Sequence, residues 1–137
     1  VNKRVPTDAE LNRAMAEACG IRVMANHLAF RLLPTAEDEN CGYIEFDSVI
    51  IQRYEHGLGR IERKDYLMDR SLLPEIWALF PPLARPAYLL ELQPHFPEEG
   101  RVSTIREWRI MSTEPRHHVI AALKVLGRWS EDWLDIR

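Results

Sequence analysis

Within seven residues the chain places Tyr54, Glu55, His56, Gly57, Gly59 and Arg60, and Arg63, Lys64 and Tyr66 follow closely. A glycine turn exposes backbone amides, and cationic side chains beside it can hold a phosphate. With Arg53 just upstream and two tyrosine rings for stacking, the candidate ligand set is Arg53, Tyr54, His56, Gly57, Gly59, Arg60, Arg63 and Tyr66. Its ligand would be a nucleotide-type small molecule. The pattern is not G-x-x-x-x-G-K-S/T, and no helix start follows at once. A plain hairpin turn with a solvated charge run gives the same residues and is the commoner source of them.

Other constellations are weaker. Cys41 with a remote His27 or His56 has the types of a thiol nucleophile and its base, but no local signature accompanies them. Glu45 and Asp47 alternate with Ile44 and Phe46, so one strand face would carry both carboxylates, either for acid–base work or as a solvated face. His117 and His118 are adjacent, and neighbours on a helix point about 100° apart, so they cannot chelate one ion together; one exposed and one packed is the expectation. No serine lies in G-x-S-x-G, and neither Cys19 nor Cys41 lies in C-x-x-C. Catalytic residues, a metal and a cofactor are therefore not expected. Trp133 lies among Glu131, Asp132 and Asp135 and, if exposed, is a candidate interface anchor, as are His95 and Phe96 in the loop over residues 93–100.

Bulk properties narrow the classes further. The 137 residues suit one domain, 1–137, with residues 130–137 either docked or frayed. The formal net charge is −3, which argues against a nucleic acid or an anionic membrane as partner. No apolar run approaches a membrane span, and the two cysteines read as reduced thiols, with a disulfide between Cys19 and Cys41 as the alternative. The expected location is a cytoplasm.

Three helices must position these residues. Thr7-Asp8-Ala9-Glu10 has the form of a capping box, and Leu11, Ala14, Met15 and Ala18 make one helical face that Gly20 ends. Ser71 can cap a second helix with Pro74 in its first turn and Leu73, Ile76, Trp77 and Phe80 on one face. Thr113 can cap the last, with Val119, Ala122, Leu123 and Leu126 as its face and Gly127 as its stop. Residues 84–92 read as a short helix, with a strand as the alternative. Between the helices, residues 21–24, 28–33 and 43–54 read as strands, with turns at 25–27 and 56–60. Residues 102–112 alternate as a strand should. Hairpin-connected strands interspersed with helices predict an α+β fold: an antiparallel sheet covered by helices in a helix–sheet–helix sandwich.

Three segments then carry a family resemblance. They are Leu11-Asn12-Arg13-Ala14-Met15-Ala16-Glu17-Ala18-Cys19-Gly20, Asp65-Tyr66-Leu67-Met68-Asp69-Arg70, and the final helix closing on Leu126-Gly127-Arg128-Trp129. They resemble the phage ABA sandwich family in its L-x-x-A-x-A-x-x-x-G helix, its (D/P)-Y-x-x-D segment and its terminal L-G-x-W. The resemblance covers about a third of the chain by motif. It implies a phage or prophage origin and the sandwich fold, and it carries no activity onto particular residues. The functional expectation is a non-enzymatic accessory protein in a bacterial host cytoplasm. It would bind a host or phage protein, for instance to inhibit a defence system. The alternative is a small-ligand binder that sequesters a nucleotide-type signal, and an enzyme or virion component comes third. A homo-oligomer fits any of these.

Overall fold

A computed structural model describes residues 2–31, 40–55, 58–96 and 106–136. The class is α+β. The chain divides into two compact units, one formed by Thr7–Asp65 and the other by Val1–Pro6 with Tyr66–Arg137.

In the Thr7–Asp65 unit, helix α1 (Asp8–Ala18) starts at the predicted capping box. The Glu10 amide donates to Thr7 Oγ1 at 3.2 Å, and the Thr7 amide donates to Glu10 Oε1 at 3.0 Å. Gly20 follows the helix at φ +88°, a conformation that disfavours side chains. The buried face is Leu11, Asn12, Met15 and Ala16, whereas Ala14 and Ala18 are half-buried. This face lies against strands β1 (Arg22–Met24) and β3 (Ser48–Glu55). Strands β2 (Cys41–Glu45) and β4 (Leu58–Lys64) complete a sheet of order β1-β2-β3-β4.

The sheet is mixed, which corrects the antiparallel expectation. β1 runs parallel to β2, and the β2–β3 and β3–β4 pairs are antiparallel. Parallel neighbours cannot be joined by a hairpin, and helix α2 (His27–Arg31) lies between β1 and β2 in the chain. The expected strand over 28–33 is thus helical at 28–31, and 32–33 lie outside the described residues. The local cause is Asn26, whose side-chain oxygen accepts the Ala29 amide at 2.8 Å and starts a helix. The expected single strand over 43–54 is two strands, broken at Phe46 and Asp47. Gly42 sits so close to β3 that a Cβ on it would lie 2.5 Å from the Ile50 carbonyl oxygen. Leu11, Met15, Val49 and Ile51 are fully buried and centre this unit's core.

In the second unit, a 3₁₀ turn (Arg70–Leu72) leads into helix α3 (Leu73–Trp77). The cap is Asp69, not Ser71: its Oδ1 accepts the Ser71 amide at 2.9 Å and the Ser71 hydroxyl at 2.7 Å. Those two bonds hold the Asp69 carboxyl below its ordinary pKa. Residues 85–92 are helical, as α4 (Arg85–Leu92), followed by a 3₁₀ turn (Gln93–His95).

The strand expected at 102–112 is corrected over its described part. Arg106–Ser112 is helix α5, and 102–105 lie outside the described residues. The physical reason is tertiary. The last carbonyls of α5 find partners on other segments: Ile110 O on the His118 ring and Met111 O on Arg70. Thr113 does not cap helix α6 (Pro115–Val125); its hydroxyl turns back and donates to Arg109 O at 2.7 Å, closing α5 instead. Gly127, at φ +71°, follows α6. Helices α3 and α4 pack on α6 around Ile76, Phe80, Tyr88, Leu92, Val119 and Leu123. Residues 130–136 are docked, with Arg4 N donating to Asp132 O and Leu134 N donating to Arg4 O. Among the described residues no helix is long and apolar enough to cross a membrane.

Candidate functional site

The β2–β3 connection is two residues long, because Glu45 pairs with Ser48. Both loop residues have positive φ, Phe46 at +49° and Asp47 at +67°. That is the signature of a type I′ turn, whose twist matches the strands it joins and which favours Asn, Asp or Gly. Phenylalanine is a poor occupant of the left-handed region, and such strain costs about 1–3 kcal/mol. The ring gains no packing in return, since Phe46 is 86% exposed.

Both flanks of this turn are gripped. On one side, fully buried Asn12 of α1 donates its amide to Asp47 O at 2.7 Å and to the Asp65 carboxylate at 3.1 Å. On the other, Arg63 of β4 donates to Ser48 Oγ at 2.6 Å and to Glu45 O at 3.3 Å, and its second nitrogen lies 3.6 Å from the Glu45 carboxylate. Ser48 is buried and donates to Glu45 O at 3.2 Å, and the Tyr43 hydroxyl donates to the Glu45 carboxylate at 3.3 Å. A strained turn persists where its surroundings over-determine it. The result is an exposed phenyl ring on a braced hairpin tip.

The pairing of β3 with β4 brings part of the sequence-derived ligand set side by side. Arg53 faces Arg60, and Tyr54 faces Gly59, as paired residues of β3 and β4, so Gly59 belongs to a strand and not to a turn. His56 and Gly57 lie outside the described residues. Arg63 is occupied by the hairpin bonds above. Tyr66 is 0% exposed and therefore a core residue of the second unit, with no ring face to offer a ligand. Glu45 and Asp47 do not share a strand face, because the chain reverses between them. Cys41 is buried in β2, and the His27 ring packs on Tyr43 at 4.9 Å.

The interface candidates fare differently. Trp133 is 8% exposed and meets Trp129 edge to face at 5.2 Å, so it packs inward and is not a presented anchor. Phe96 and His95 are half-buried, and the His95 ring stacks on His117 at 3.8 Å and 9°. Burial and the neighbouring His95 hold His117 below the ordinary histidine pKa.

His118, by contrast, is buried. A carbonyl oxygen only accepts, so its Nε2 carries the proton donated to Ile110 O at 2.8 Å. Its Nδ1 then accepts the Tyr88 hydroxyl proton. Burial lowers the His118 pKa and raises that of Tyr88, so the pair is neutral. Among the described residues no group of three or more His, Cys, Asp or Glu is arranged to hold a metal ion.

The sequence reading missed Asn12, Ser48 and the Tyr88–His118 pair. Asn12 left one trace, a poor helix former placed inside a helix beside Leu11. No family model, curated protein or solved structure matches the chain.

Proposed function

We propose that this chain is a non-enzymatic binding protein that acts by covering a surface of another protein, with Phe46 as its anchor. One observation carries the reading: a large aromatic side chain stands exposed in a strained backbone conformation that two separate side-chain clamps enforce. A hairpin shaped for stability alone would place Asn or Gly at that position. Aromatic residues that enter a partner's pocket supply much of the binding energy of protein interfaces, and stability given up at a site is a common mark of function. The resemblance to the phage ABA sandwich family extends the proposal: the chain is a phage or prophage accessory protein, and its partner is a host macromolecule.

Photo-crosslinking tests this directly. A benzophenone-bearing residue at position 46 is illuminated in bacterial lysate. The expected result is one discrete protein adduct, competed away by the natural chain and not by a Phe46→Asn variant. Absence of any adduct above background, or equal competition by Phe46→Asn, sinks the proposal.

A further inference from the structure

The Tyr88–His118 pair lies at the wall of a cavity of about 300 Å³ in the second unit, lined otherwise by Leu73, Pro74, Trp77, Ile110 and Met111. That volume is at the lower end of the range for small-molecule sites, roughly 300–1,000 Å³. We propose that this cavity is a binding site for a small, planar, uncharged molecule carrying one hydrogen-bond donor, of the indole or phenol type.

The shape and rigidity of the walls support this. A void between helices is destabilising and tends to close when its walls can move. Here they are fixed. The end of α5 that carries Ile110 and Met111 is held by Arg70, which donates to Met111 O at 2.8 Å and to Thr113 O at 3.2 Å. It is also held by His118 through Ile110 O. On another wall the Arg85 guanidinium lies 5.0 Å from the centre of the Trp77 ring and orients it, while Arg85 itself donates to Phe80 O at 3.1 Å. Trp77 meets Tyr88 edge to face at 5.8 Å. Met111 is 55% exposed, so the cavity has a soft apolar lip at the surface. A cavity pinned in this way is preorganised, and preorganisation lowers the entropy lost on binding.

The polar chemistry sets the ligand class. Apart from the Trp77 indole N–H, a donor, Tyr88 and His118 are the only polar side chains among the described lining residues. Both His118 nitrogens are engaged, one as donor and one as acceptor. The Tyr88 proton is committed to His118, so what the pair has left to offer is a lone pair on the Tyr88 oxygen. A ligand N–H or O–H satisfies that acceptor, and the remaining wall takes an apolar ring. A charged ligand would meet no counter-charge among the lining side chains and would lose its hydration.

The test titrates the full chain with indole, following amide chemical shifts by NMR. Saturable shifts centred on Trp77, Ile110 and Met111 are expected. Binding of 1-methylindole, which keeps the ring and lacks the donor, should be roughly two- to tenfold weaker, the worth of one net hydrogen bond. Met111→Trp changes a surface residue and fills the mouth, so it should abolish the indole shifts with an unchanged far-ultraviolet dichroism spectrum. The proposal is overturned if indole produces no saturable shift, if Met111→Trp leaves its affinity unchanged, or if 1-methylindole binds as tightly as indole. None of these outcomes depends on Phe46, which belongs to the other unit.

Discussion

Asn12 and Phe46 are two residues with opposite burial and a joint role. Asn12 is fully buried and holds Asp47 O, while Phe46 next to it in the turn stands in solvent. Replacing Asn12 with Leu keeps the number of side-chain heavy atoms and removes the donor that Asp47 O and Asp65 share. We expect a loss of about 1–3 kcal/mol in urea unfolding, the cost of stripping partners from buried polar groups. Phe46→Asn should do the reverse, because Asn suits the left-handed region. A gain of roughly 0.5–1 kcal/mol, together with loss of partner binding, would separate the functional position from the structural one. A Phe46→Asn variant less stable than the natural chain would remove the argument from strain. Neither role was legible from residue types: Phe46 read as part of an alternating strand, and Asn12 as one polar position on a helix. What decides both is which distant atoms they meet.

At the scale of elements, local chemistry was readable where the partners are near in sequence. The Thr7–Glu10 capping box spans three residues, and Gly20 and Gly127 close their helices through their own backbone freedom. Thr7→Ala should therefore cost about 1 kcal/mol in the same urea assay. The sheet depends on a contact of longer range. Gly42→Ala places a methyl group against the Ile50 carbonyl, and overpacking of this kind costs about 1–3 kcal/mol. Rapid amide exchange across β2 and β3 should accompany it. An unchanged unfolding midpoint would mean that the two strands can separate without penalty. Local patterns misled where a distant partner outweighed them. Thr113 has the type and position of an N-cap, yet Arg109 O takes its hydroxyl, and over the described Arg106–Ser112 the alternating pattern yields to a helix whose end is held by Arg70 and His118.

At the scale of the whole molecule, stability should depend on pH through the two adjacent histidines of α6. His118 is held below the ordinary value of 6.5 chiefly by burial. The unfolded chain therefore binds its proton at a higher pH than the folded chain does. The stability of the neutral folded form is fully present above about pH 6.5 and declines as pH falls through the depressed value. His117 acts with the same sign. The urea midpoint should be lower near pH 5.5 than near pH 7.5, and part of that difference should survive in His117→Asn, where only His118 remains. A midpoint that rises on acidification would contradict the neutral Tyr88–His118 pair.

The amino-acid sequence by itself determined the α+β class, the first helix with its cap, the glycine stops and most of the apolar faces that became core. These follow from backbone geometry and from burial periodicity, which act over a few residues. Tertiary structure decided the parallel pairing of β1 with β2, the helical state of Arg106–Ser112, the bracing of the Phe46 turn and the cavity beside Tyr88 and His118. Each of these depends on hydrogen bonds or packing between segments far apart in the chain, where no local pattern records the partner.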